Sequence, residues 1–208
     1  LNFIHARSYC RIKLVWHFNW KVHLTPILII FGANIANMIY VNSDITLLGV
    51  FSGDKSVGIY SAATKIYNIV KQLLNAIIIV MIPRLSALLG KNMYDDYNVL
   101  LKKSFHAIVT LLMPAITGIF VLSYEIIWII GGEKYAVGYQ SLRVLSLALA
   151  AAVFANFYNN AILIPNKKEK FFLTATITAA VVNIALNFVL IPKLDYIGTA
   201  ITTVIAEY

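Results

Sequence analysis

Four stretches of the chain contain no Asp, Glu, Lys or Arg: Val22–Ser43, Ser104–Tyr124, Val144–Asn166 and Phe171–Pro192. Each is 21 to 23 residues long, and about 20 apolar residues suffice to carry a helix across the hydrocarbon core of a bilayer. A fifth stretch, Gly58–Pro83, is as long but patterned. Its polar residues fall at 60/61, 64/65, 67/68, 71/72 and 75. Those steps of three and four gather Tyr60, Ser61, Thr64, Lys65, Tyr67, Asn68, Lys71, Gln72 and Asn75 on about half the helix circumference, opposite Ala62, Ala63, Ile66, Ile69, Val70, Leu73 and Leu74. A sixth apolar run opens near Tyr196 and reaches Tyr208. The pattern predicts an all-α, polytopic transmembrane helix bundle of five complete spans plus the start of a sixth. The spans fall at about 23–50, 58–83, 104–130, 141–165, 171–192 and 196–208, the last truncated. Residues 1–21, rich in basic and aromatic side chains, read as a cytoplasmic connection; residues 22–208 form the transmembrane lobe.

The punctuation between spans follows from turn chemistry. Ser52-Gly53-Asp54 marks a short outer turn, and Gly131–Gln140 an outer loop. Ile82-Pro83, Ile164-Pro165 and Ile191-Pro192 place proline where an apolar run stops, because proline lacks the N–H a helix needs and clashes one turn back. Pro114 lies inside the third span, four residues before Gly118, and predicts a kink there, read either as a hinge or as a fixed bend. Arg84–Lys103, with Leu85, Leu88, Leu89, Leu100 and Leu101 among polar groups, predicts an amphipathic helix along the inner leaflet.

Composition sharpens this class. The chain is 60% hydrophobic and 12% charged, against about 25% charged in soluble domains, and its mean hydropathy is +0.79. The net charge of +8 is mostly topological. With the N-terminal segment cytoplasmic, Arg7, Arg11, Lys13, Lys21, Arg84, Lys91, Lys102, Lys103, Lys167, Lys168 and Lys170 share the inner side, against Lys55, Lys134, Lys193 and Arg143 outside. No nucleic-acid partner is expected. Cys10 stands alone, so no internal disulfide forms. The chain opens on Leu1 and closes inside a span, which reads as a piece of a longer protein.

Ionisable groups inside spans are costly, so they usually face a bundle interior or a wet cavity. Lys71 lies near the middle of its span, and Lys65 about 9 Å further out along the axis. Such a cationic face points to a pathway for an anion, with Tyr60, Thr64, Asn68, Gln72 and Asn75 as neighbours. Asp44 in the first span has three readings: an ion pair with a lysine of the second span, a proton or sodium site in a coupling cycle, or a hydrated group at the outer interface. Asn34 and Asn37 precede it on one face; Asn156, Asn159 and Asn160 line the inner end of the fourth span. Thr176, Asn183 and Asn187 in the fifth span read as interhelical bonding groups. Asp95-Asp96 has no third ligand near it, and His5, His17, His23 and His106 are scattered. No zincin, nucleophile-elbow, phosphate-loop or CxxC motif occurs. No catalytic residue, metal or cofactor is therefore expected, and the chain does not read as an enzyme.

The string from Asp44-Ile-Thr-Leu-Leu-Gly49 through Ser52-Gly-Asp-Lys-Ser-Val-Gly58-Ile-Tyr60-Ser-Ala-Ala63-Thr-Lys65-Ile66 to Ile82-Pro83-Arg84 resembles the polysaccharide-unit flippases, the O-antigen and capsule transporters of the multidrug/oligosaccharidyl-lipid/polysaccharide exporter superfamily. Tyr158-Asn-Asn160 through Pro165-Asn-Lys-Lys168 looks like that family's tenth and eleventh spans. The resemblance covers about residues 20–208 and implies one lobe of a two-lobed transporter, spans seven to about twelve. It implies flipping of undecaprenyl-diphosphate-linked oligosaccharide across the bacterial inner membrane by alternating access, with basic cavity residues, here Lys65 and Lys71, drawing the pyrophosphate. The partners it implies are the lipid-linked oligosaccharide, membrane lipid, a polysaccharide polymerase and a chain-length regulator. The rival readings are a drug or small-molecule exporter of the same superfamily, which calls for an acidic lining, and a membrane-embedded polymerase or sugar transferase, which calls for paired acids or His in a large loop.

Overall fold

The first helix, α1 (Trp20–Gly90), doubles back on itself. The computed structural model describes residues 20–208; the predicted basic connection, with Cys10, His5 and His17, lies outside them except for its last two residues, which begin α1. The turn in α1 is made by Gly53 (φ 79, ψ 176), a conformation open to glycine and strained for other residues. Tyr60 Oη lies 3.3 Å from Asp44 Oδ2, whereas sixteen residues of unbroken helix would separate them by roughly 24 Å. The first arm (20–52) therefore packs against the second (54–90). The second arm runs through Pro83 to Gly90, and a turn over residues 91–93, with Asn92 at φ 57, leads straight into α2 (Tyr94–Val121). There is no separate helix along the inner leaflet: the leucines expected on it extend α1 and α2, and Leu85 and Leu100 are buried between helices. Asp95 and Asp96 occupy the first turn of α2, where carboxylates complement the helix dipole.

α2 contains Pro114 and ends at Leu122 (φ −93, ψ 16), eight residues beyond it. The short α3 (Ser123–Gly131) follows, then Gly132 at φ 75 and a 3-10 segment, Glu133–Gly138. The carbonyl of Phe120, near the broken end of α2, accepts a hydrogen bond from Arg143 Nε at 3.1 Å. α4 (Tyr139–Tyr158) continues into a π-helical turn, Asn159–Leu163. α5 (Glu169–Glu207) breaks at Asp195 (φ 52, ψ −136), three residues after Pro192. It too doubles back: Thr202 Oγ1 donates to Asn187 Oδ1 at 2.6 Å. A Cβ at Gly198 would meet the Leu190 carbonyl oxygen at 2.5 Å, so glycine lets the arms 169–194 and 196–207 touch. Of the three prolines expected at span exits, only Pro165 sits in a turn; Pro83 and Pro192 lie within helices.

Ser56 Oγ donates to Asp195 Oδ2 at 2.8 Å, so both fold-back points lie at the same end of the bundle. α4 is the central helix. Half of its most apolar window is buried, against about a fifth in the other three long helices, and Leu142, Leu145, Ala148, Leu149 and Val153 are fully enclosed. The outer helices expose Ile27, Phe31, Ile79, Val80, Val181 and Phe188. In water such faces would forfeit about 25 cal/mol for every Å² of apolar surface; acyl chains remove that cost. Among the described residues four helical segments are long and apolar enough to cross a membrane, no strand occurs, and the chain is an all-helical, multi-pass membrane protein.

Candidate functional site

The fold-back of α1 and that of α5 meet at Asp44. Its side chain is buried. Oδ1 accepts from Asn187 Nδ2 at 2.7 Å, and Oδ2 lies 3.0 Å from Thr203 Oγ1 and 3.3 Å from Tyr60 Oη. Asn187 Nδ2 also donates to Asn183 Oδ1 at 2.9 Å. No Lys, Arg or His pairs with Asp44: the one ion pair among the described residues is Lys71–Glu207. Within this lobe, then, Asp44 is enclosed and held by neutral donors, with no lysine beside it. Within the same region Asn183 Nδ2 and Thr199 Oγ1 are buried without a protein partner. Buried polar atoms are seldom left so.

The polar face of the second arm of α1 divides into two stripes about 100° apart. Tyr60, Thr64, Tyr67 and Lys71 point into the lobe: Tyr60 and Tyr67 are buried, and Thr64 and Lys71 partly so. Lys71 Nζ meets Glu207 Oε1 at 3.1 Å and lies 5.4 Å from the centre of the Tyr67 ring. Ser61, Lys65, Asn68 and Gln72 form the flank, and all of these but Ser61 are exposed. Asn75 is half-buried, its Oδ1 without a partner. Lys65 and Lys71 therefore occupy different environments. Lys65 belongs to the open flank, whereas Lys71 is compensated inside the bundle.

Residues 1–140 match the sequence profile of the family described as polysaccharide biosynthesis protein. The chain belongs to that family. Two curated relatives extend the comparison. One from Haloferax volcanii, named as a probable low-salt glycan biosynthesis flippase, is 24% identical over 84% of this chain and 37% of its own length. One from Escherichia coli K12, provisionally named an O-antigen transporter, is 29% identical over 86% of this chain and 43% of its own length. The chain thus spans less than half the length of the relatives it matches. No solved structure matches it.

For this member of the polysaccharide biosynthesis family, the string that carried the resemblance has a local physical basis. A Cβ on Gly58 would press to 3.2 Å against the Tyr135 ring, and one on Gly138 to 3.0 Å against the Ile59 carbonyl oxygen. Small residues here let the 3-10 segment close over the start of the second arm. Tyr60, two residues on, reaches the Asp44 node.

The other sequence candidates lie apart from this node. Asn34 and Asn37 are exposed on the first arm, although Asn37 precedes Asp44 by one heptad; the groups that enclose Asp44 come from Tyr60, Asn187 and Thr203 and do not reach that far. Asn156 and Asn160 bond to each other, and Asn159 is buried with Oδ1 unpartnered. Asn159 and Asn160 open the π turn and Asn156 lies one turn before it; the Ala161 carbonyl of that turn accepts from Tyr97 Oη at 2.8 Å. Pro114 is exposed and Gly118 half-buried. Sequence reasoning passed over Thr199, Thr202, Thr203 and Glu207. Their steps of three, one and four after the break put them on one helix face, a readable signal hidden because the segment was treated only as a truncated span.

Proposed function

We propose that this chain is one lobe of a two-lobed transporter that moves undecaprenyl-diphosphate-linked oligosaccharide across the bacterial inner membrane by alternating access, for O-antigen or capsule synthesis. The observation that carries the reading is Lys71, a cationic group set midway along an apolar helical arm and still partly exposed. A lipid tail can remain among acyl chains during transfer, but a diphosphate stripped of water needs a countercharge. Lys65, Thr64, Asn68, Gln72 and Asn75 supply the adjoining polar wall, and Tyr60 ties that wall to Asp44. Asn34, Asn37, Asn156 and Asn159 line the same route towards its inner mouth in this proposal, and Pro114 with Gly118 provides give in the third span. The doubled helices α1 and α5 each contribute two crossings, which makes five complete spans and the beginning of a sixth. The lipid-linked sugar and membrane lipid are the direct partners; a polymerase and a chain-length regulator act on the product.

Asp44 is the coupling residue. An enclosed carboxylate surrounded only by neutral donors is tolerable when it holds a proton or a small cation such as sodium. The names borne by the two relatives, glycan flippase and O-antigen transporter, support the transport reading and say nothing of a coupling ion. The test is the complete protein carrying Lys71→Ala in a strain that depends on it. Surface polysaccharide should disappear while the protein still inserts at normal level. Undiminished export would remove Lys71 from the pathway and, with it, the main support for this reading.

A further inference from the structure

Lys71 is already paired in this structure, and its partner comes from the far end of the lobe in sequence. Glu207 Oε1 lies 3.1 Å from Nζ, and the two side chains remain 28% and 15% exposed. The pair is therefore neither sealed in the core nor free in solvent. A carboxylate and a phosphate oxygen bind an ammonium in the same way, by charge-assisted hydrogen bonds. We infer that Glu207 is a specificity-determining residue, a resident anion that occupies Lys71 until a ligand carrying more than one negative charge displaces it. The inference rests on the reading of Lys71 as a headgroup residue.

The selectivity follows from charge. A singly charged ligand gains no Coulomb advantage over the carboxylate it must remove, and it also loses the proximity that Glu207 has by being tethered. A diphosphate brings two or more charges to the same ammonium, and at equal distance its attraction rises in proportion. Glu207 also spares Lys71 from standing uncompensated in a half-buried position, which would be costly. Glu207 follows Thr203 by one helical turn on the same face of α5, and Thr203 Oγ1 lies 3.0 Å from Asp44. Thr203 and Glu207 thus link the two ionisable sites through one face of one arm.

The experiment measures binding to the complete protein in nanodiscs, with undecaprenyl diphosphate, undecaprenyl monophosphate and inorganic pyrophosphate as probes. The wild-type protein should prefer diphosphate to monophosphate. Glu207→Gln should tighten both, by about tenfold for the diphosphate, equivalent to about 1.4 kcal/mol, and narrow the preference between them. Lys71→Gln should abolish the preference, and adding Glu207→Gln to it should change nothing more. Gain with free pyrophosphate as well as lipid assigns the site to the anion itself; gain confined to the lipids assigns it to a membrane-delivered headgroup. If Glu207→Gln leaves affinity unchanged or weaker while Lys71→Gln weakens it, Glu207 is only structural and the inference fails, with the headgroup reading intact. If Lys71→Gln binds like wild type, the headgroup reading itself fails. Where Glu207→Gln does not fold, Glu207→Asp, which keeps the charge and widens the gap, should tighten diphosphate binding by a smaller factor; no tightening there also overturns the inference.

Discussion

Asp44 and Lys71 are two ionisable groups held within the same lobe, and they are treated in opposite ways. Asp44 is enclosed and meets only neutral donors, from Asn187, Thr203 and Tyr60. Lys71 stays partly open and meets a full countercharge in Glu207. Both are served by the second arm of α5, one turn apart. In the proposed reading the difference separates two jobs: the enclosed acid takes a proton or a small cation, and the ammonium takes a larger anion that displaces Glu207.

The comparison can be broken most directly at Asp44. Asp44→Asn keeps the shape, and its amide can still accept from Asn187 while donating to the hydroxyls of Thr203 and Tyr60, but it cannot carry an exchangeable charge; export by the complete protein should fall at least about tenfold, a barrier change of about 1.4 kcal/mol, with insertion unchanged. Export at the wild-type rate would make the node structural. Next in size is Asn187→Ala. It strips the closest donor from the acid, leaves Asn183 Oδ1 without its donor, and leaves Thr202 only the Thr199 carbonyl; hydrogen bonds to charged groups contribute about 1.5–3 kcal/mol each. Thermal unfolding in detergent should come several degrees earlier, and the shift should shrink in an Asp44→Asn background. Gly198→Ala tests the hairpin that delivers both Thr203 and Glu207. Its methyl would meet a backbone carbonyl oxygen, and overpacking of this kind costs about 1–3 kcal/mol. Lys65→Ala should be mildest, with stability unchanged within about 0.5 kcal/mol as for other exposed sites and export reduced far less than by Lys71→Ala. Equal losses from the two lysines would undo the division into an interior stripe and an open flank.

Much of the architecture was legible along the chain. Uncharged runs of membrane length predict helices, and Ser52-Gly53-Asp54 and Gly131-Gly132 sit where the backbone turns, with Gly53 and Gly132 both at positive φ. The three-and-four spacing of polar residues in the second arm marks a special helix. Local signals failed where packing overrode them. Pro83 and Pro192 lie inside helices, since a single missing N–H is tolerable when neighbouring turns hold the segment. The leucines of Arg84–Lys103 are amphipathic as expected, but they bury against other helices of the lobe instead of a leaflet surface.

Sequence by itself determined the helical class, the apolar arms and the presence of Asp44, Lys65 and Lys71 within them, because lipid solvation and backbone hydrogen bonding act on each segment independently. Tertiary structure alone decided what those charges meet. Asp44 to Thr203 is a separation of 159 positions and Lys71 to Glu207 one of 136, distances over which no periodicity carries information. Two sharp turns, at Gly53 and Asp195, bring these groups together, and the resulting partners give one charge an enclosing set of neutral donors and the other a carboxylate.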